Sequence, residues 1–326
     1  MTTDRPPAHV PSQRVRALLG LVGTCALWGL SFPAMKTLGF HVAALDAGVS
    51  SWFIAAATLV LRFGASALLV ALFGLPRPSA HEWRQGLWMG LFTGAGMLLQ
   101  MDALSYTSAS TSAFLTQGYI VVLPLVAAVA ARRLPSAKIA ACVATIAAGL
   151  AVLSGFDWSH LRLGRGESET LGAALCFACQ ILCLDHRAYR NNRTNVVSVL
   201  MFASITLLLL PIALLTARSA ADARLLFSTP VAAALVFVLC VPCTTLAFML
   251  MNRYQPDVSA SEAGIIYGAE PLFASLLSLF LPSIFAAWAG VSYANERLTD
   301  RLLLGGGLVI AANVLLQLPF GNTRPD

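Results

Sequence analysis

The residues best able to do chemistry in this 326-residue chain are charges placed where water is scarce. Glu270, followed directly by Pro271, lies inside Ser259–Phe280, an otherwise apolar stretch. A carboxylate at the middle of a bilayer costs ~3 kcal/mol on insertion scales, and the proline beside it removes a helical hydrogen bond. Glu270 therefore reads as a site for a substrate amine or a coupling proton, against the plainer reading of a buried acid that fixes a neighbouring helix. Arg62, near the centre of another apolar run, cannot shed its proton and needs a carboxylate partner, water or an anionic substrate. Lys36 reads either as a snorkelling side chain or as part of a gate. Asp102, with Gln100 nearby, divides between solvation at a rim and an extracellular gate. Trp28, Tyr119 and Tyr267 offer faces for a planar or amine substrate, or simple packing. Gln117 and Gln180 are amides inside apolar segments, suited to interhelical hydrogen bonds or to ligand contacts.

The missing residue types are equally informative. His9, His41, His81 and His160 fall outside the apolar spans and His186 at the end of one, so a buried serine–histidine pair or metal centre has no histidine to use. No HExxH, nucleophile-elbow or P-loop pattern occurs. The sequence thus predicts no catalytic residue, no metal site and no cofactor, and points away from an enzyme. All seven cysteines lie in apolar segments, where they pack as small hydrophobes. Cys176, Cys179 and Cys183 share a helical face and Cys240 with Cys243 has CxxC spacing, but no histidine accompanies them.

The elements that must hold these residues follow from composition. The chain is 58% hydrophobic and 11% charged, far more apolar than a soluble domain. Runs of about 20 apolar residues recur, each long enough to cross ~30 Å of hydrocarbon as a helix. They read as spans over 17–40, 49–73, 86–104, 111–131 and 136–153, then 169–189, 196–216, 230–253, 259–286 and 302–318. The expectation is an all-α integral membrane protein of ten transmembrane helices, with kinks at Pro33, Pro124 and Pro271. Gly86, Gly90 and Gly94, four residues apart, predict close approach of a neighbouring helix. The net charge of +6 sits in short loops, where it sets orientation, so nucleic acid is not an expected partner.

One half of the chain echoes the other. Ser108-Ala109-Ser110 recurs as Ser259-Ala260-Ser261, and each is followed by a tyrosine and a proline, Tyr119 with Pro124 and Tyr267 with Pro271. The division is a tail over 1–16, a first five-helix unit over 17–153, an extracytoplasmic connector over 154–168, a second unit over 169–320 and a tail over 321–326. Five being odd, the two units insert with opposite sense, the inverted-repeat construction of many secondary transporters. With the amino terminus inside, thirteen lysines and arginines fall in inner loops or tails and six in outer ones. Both termini are therefore expected in the cytoplasm of a bacterial-type inner membrane.

The chain resembles the EamA-type permeases of the drug/metabolite transporter superfamily over nearly its whole length. The resemblance is carried by Leu27-Trp28-Gly29 with Lys36, by Arg62, by Tyr106–Leu125 and by Tyr254–Leu276. Asn295-Glu296-Arg297-Leu298-Thr299 with Gly305-Gly306-Gly307-Leu308 completes it. It implies two EamA repeats and alternating-access movement of a small metabolite, often an amino acid or related compound and commonly outward. A passive channel is the alternative. The lipid bilayer and a small-molecule substrate are the implied partners, with room for a coupling proton and a homodimer. The chain departs from the family pattern after the fourth helix, where Ala131-Arg132-Arg133 stands in place of an acidic residue. The stretch Leu281–Leu298 is longer than its first-half counterpart and has no physical account at this level.

Overall fold

The computed structural model describes residues 11–130, 137–153, 164–258, 263 and 266–317. The tail 1–10, the Arg132-Arg133 loop, most of the 154–168 connector, Ser259-Ala260-Ser261 and the 321–326 tail lie outside the described residues. Among the described residues all regular structure is helical. The helices are α1 (Pro11–Leu45), α2 (Ser51–Ala71), α3 (Ala80–Ala103), α4 (Ala109–Thr116), α5 (Tyr119–Ala130), α6 (Ala137–Leu153) and α7 (Arg165–Asp185). There follow α8 (Thr194–Thr216), α9 (Ala220–Leu225), α10 (Pro230–Cys240), α11 (Ala247–Tyr254), α12 (Glu270–Ser278), α13 (Leu281–Ala289) and α14 (Asp300–Gln317). α1 takes in residues 11–16, which read as tail.

Local chemistry sets several of these ends. Ser50 caps α2 by accepting from Phe53 N at 3.0 Å, and Ser79 with Glu82 forms a reciprocal capping box at the start of α3. Ser108 caps α4, and Thr229 followed by Pro230 opens α10. α1 runs unbroken through Pro33 and α8 through Pro211.

The breaks fall elsewhere. α4 and α5 part at Gln117-Gly118, so Pro124, expected to kink this span, sits inside α5 instead. The second-half break falls at Gly268-Ala269, immediately before Glu270 and Pro271. A glycine gives the chain its freedom at both places, whereas a proline within the first turn of a helix is tolerated. Between α10 and α11, Val241–Leu246 forms a wide π-turn beginning beside Pro242, which has no N–H to continue the ladder. Thr244 and Thr245 hydroxyls donate to Leu239 O and Cys240 O at 2.7 and 2.9 Å, so carbonyls in the widened turn stay satisfied.

Five described segments are long and apolar enough to cross a membrane, and a sixth if α12 and α13, bent by 55°, form one span. This count covers the described residues alone and falls short of the ten expected from hydropathy. α4, of 8 residues, is parted from α5 at Gln117-Gly118, and α5, α6 and α14 each adjoin residues outside the described set. α3 has 24 residues but opens on His81, Glu82, Arg84 and Gln85. The bundle turns Leu68, Leu207, Leu214, Leu215 and Phe237 outward, each more than 60% exposed, as a lipid solvent requires and water would not favour. The molecule is a multi-pass membrane protein.

Helices from the two halves interleave. α2 packs on α8, α3 on α7 and α8, α6 on α14, and α1 on α10, α11 and α12. The glycine stripe does what its spacing predicts: Gly86 and Gly90 lie against Leu200 and Ser204 of α8, so close that an added Cβ would come within 2.5 and 2.4 Å of them. The stretch left unexplained by the sequence is α13, a left-handed turn at Gly290 and an extended return over 291–299. Glu296 N donates to Ser278 O at 2.9 Å, tying that return to the end of α12.

Candidate functional site

The interleaving leaves a mainly apolar cavity with a few polar groups in the bundle, at the two helix breaks. Its floor is Glu270, at the start of α12, and its walls are Trp28 and Ser31 of α1 with Tyr119 and Thr116 from the first break. α3 adds Met97 and Gln100, α7 adds Phe177, Gln180 and Ile181, α11 adds Phe248 and Met251, and Tyr267 completes the ring. About 50 Å³ is open to water-sized molecules, room for a few waters. Among the described residues no lysine, arginine or histidine lines it.

Glu270 is 6% exposed. Tyr119 and Tyr267 line the cavity with it, and no donor among the described residues lies within hydrogen-bond distance of its carboxylate. Trp28 sits at the hinge of an aromatic cluster, with ring centroids 5.3 Å from Phe248 and 5.6 Å from Tyr267. Phe63 and Phe202 extend it through Phe248. Gln180 Nε2 donates to Met251 Sδ at 3.7 Å. Tyr119 donates to Gln117 Oε1 at 3.2 Å, and Tyr267 donates to Gln255 Oε1 at 2.8 Å.

The structure therefore brings Trp28, Tyr119, Gln180, Tyr267 and Glu270 to one place, with Gln117 directly behind. Arg62, Lys36 and Asp102 stand apart from it. Arg62 is fully buried, but no carboxylate pairs with it among the described residues. Its Nε donates to Thr244 Oγ1 at 2.9 Å and its Nη1 to Met35 Sδ at 3.1 Å, while Nη2 has no partner. It braces the wide turn rather than a charge, because Thr244 is the hydroxyl that the turn presents.

Lys36 and Asp102 belong to a junction at one end of the bundle. Lys36 Nζ donates to Thr107 O at 2.6 Å and lies 5.7 and 5.8 Å from the Phe40 and Tyr293 rings, so it is anchored and does not snorkel freely. Asp102 is not solvated at a rim: its carboxylate is buried and paired with Arg165 Nη2 of α7 at 2.5 Å. Thr107 Oγ1 donates to Glu167 Oε1 at 2.9 Å. Glu296 Oε1 accepts from Ala109 N and Ser110 N at 3.0 and 3.3 Å, filling the amino end of α4. At the opposite end, Arg193 at the start of α8 grips Glu82 of α3 through two nitrogens, each at 2.7 Å.

Sequence reasoning passed over Phe177, Phe248, Met251 and Gln255. The first three are apolar residues in apolar segments and carry no signal. Gln255 lies in a short 3-10 turn after α11, outside any span read from hydropathy.

Comparison with known proteins agrees with this architecture. Residues 165–286 match the EamA-like transporter family. An uncharacterized transporter of Archaeoglobus fulgidus is 26% identical over 306 residues, covering 94% of this chain and 87% of the relative. A crystal structure of a protein aligns with a TM-score of 0.56 at 17% identity, over 93% of this chain and 96% of the other, a likeness of fold.

Proposed function

We propose, from the premise that this chain is an EamA-type permease of the drug/metabolite transporter kind, that it is a secondary carrier. It moves a small amine-bearing metabolite, such as an amino acid relative, by alternating access and in the export direction. The observation that carries the reading is the central cavity: two broken helices, one from each half, meet at a single carboxylate inside an aromatic ring. The packing supports a two-unit architecture, since exchanging the halves maps α2 against α8 and α6 against α14 each onto itself, and α3 against α7 onto α1 against α10 and α11. On this reading residues 17–153 and 169–320 are two inverted five-helix repeats, and both termini are cytoplasmic in a bacterial-type inner membrane. The Asp102 end then faces outward and the Glu82 end inward.

Counter-flow in proteoliposomes tests the class. A carrier exchanges labelled substrate faster when unlabelled substrate waits on the opposite side; flux indifferent to the opposite side would make the protein a passive channel. Glu270 carries the coupling proton in this scheme. Glu270→Gln should abolish uphill accumulation while leaving exchange, and proton-driven accumulation at the wild-type level would remove that role.

A further inference from the structure

The central cavity holds an unmatched set of hydrogen-bonding groups. Glu270 has no donor among the described residues, although two phenols, Tyr119 and Tyr267, line the same cavity. Both phenol protons are committed elsewhere, Tyr119 to Gln117 Oε1 at 3.2 Å and Tyr267 to Gln255 Oε1 at 2.8 Å. Both glutamines are buried, at 0% and 2% exposure, and neither touches the cavity. In each the other half of the amide, Nε2, is buried with no partner among the described residues. A buried unpaired N–H is a cost that packing alone does not repay, since an apolar side chain of the same size would avoid it. What each glutamine supplies is its carbonyl oxygen, and what that oxygen does is hold a phenol proton.

We infer that Gln117 and Gln255 are positioning residues that keep Tyr119 and Tyr267 from donating to Glu270, reserving the carboxylate for the N–H groups of a primary ammonium ligand. The inference rests on the carrier reading for the place of Glu270 and adds the ligand class. The aromatic faces of Trp28, Tyr119 and Tyr267 attract any organic cation. They do not tell a primary ammonium from a quaternary one. The empty acceptor capacity of Glu270 does, because a buried site built to receive N–H donors rejects an analogue that lacks them. Freed from its glutamine, a tyrosine hydroxyl turns to the carboxylate and competes with the ligand.

The experiment measures equilibrium binding of phenethylamine and its N,N,N-trimethyl analogue to the purified full-length protein in detergent. The wild type should bind the primary amine at least about tenfold more tightly than the trimethyl analogue. Gln255→Leu should weaken phenethylamine about tenfold while moving the analogue less than about threefold, and adding Tyr267→Phe should restore the primary amine to near the wild-type value. A purely structural role for Gln255 weakens both compounds alike, so a parallel loss of the two overturns the inference, as does a failed rescue or an unweakened Gln255→Leu. Gln117→Leu with Tyr119→Phe asks the same question independently, should the first pair fold poorly. A wild type that binds neither compound overturns the amine reading and this inference with it. Binding with the expected pattern but no counter-flow would overturn the carrier reading alone.

Discussion

Glu82 and Arg193 show a charged pair doing structural duty away from the cavity. The Arg193 guanidinium, with the Ser79 and Arg193 backbone N–H groups adding to it, holds the Glu82 carboxyl well below the usual carboxylate range. A depressed value in the folded state means the pair stabilises fully above the ordinary glutamate pKa of about 4.3, and that this is lost as pH falls through the folded value. The thermal midpoint in detergent should therefore drop between about pH 5 and pH 3, and Arg193→Gln should flatten that slope. The same variant should lower the midpoint at neutral pH as well, by less than the loss of a sealed pair would, because Arg193 stands half open to solvent. An unchanged slope would place the acid sensitivity in other carboxylates. At this scale the sequence is legible wherever a charge interrupts an apolar run. Glu270 announces itself, as does Arg62, but the partner of Arg62 does not. That partner, Thr244, depends on the wide turn beside Pro242, and no spacing rule marks such a turn.

Helices are legible by length and apolarity, and their joints are not. The glycine stripe Gly86, Gly90 and Gly94 reads correctly as a packing face because four-residue spacing places all three on one side of α3. Gly90→Val puts side-chain carbons where Ser204 Cβ and Met201 O already stand, 2.4 and 3.0 Å from the added Cβ. It should cost about 1–3 kcal/mol by overpacking, seen as a lowered thermal midpoint. Gly39→Ala, with nothing within 4 Å of the added carbon, should be neutral or slightly stabilising. Equal midpoints for the two variants would show that α3 and α8 can part freely. The breaks mislead in one half only. Pro271 marks its break because it starts α12, whereas Pro124 lies six residues beyond Gly118, within α5. Proline signals a break where its missing N–H coincides with a helix start, and glycine signals it at both joints. The long return after α13 was opaque because its meaning is tertiary: it delivers Glu296 to the amino end of α4, a helix nearly two hundred positions away.

The whole molecule was legible as a class before it was legible as a site. Apolar composition and recurring runs establish a membrane bundle, and the recurrence of Ser-Ala-Ser before a tyrosine and a proline suggests two related halves. Neither says which helices touch. The seam where α2 meets the turn between α10 and α11 holds a permanent guanidinium cation, Arg62, with no counter-charge beside it among the described residues. Any rocking of one half against the other carries that cation through part of the electric field across the membrane, where a full crossing is worth ~2.3 kcal/mol per 100 mV. On the carrier reading proposed above, reorientation that moves this cation through the field is voltage-driven even when the cargo is neutral. In vesicles clamped with potassium and valinomycin, the wild-type exchange rate should vary with the imposed potential and Arg62→Leu should flatten that dependence. A flat wild-type response would mean that the guanidinium stays fixed in the field while the cavity changes sides.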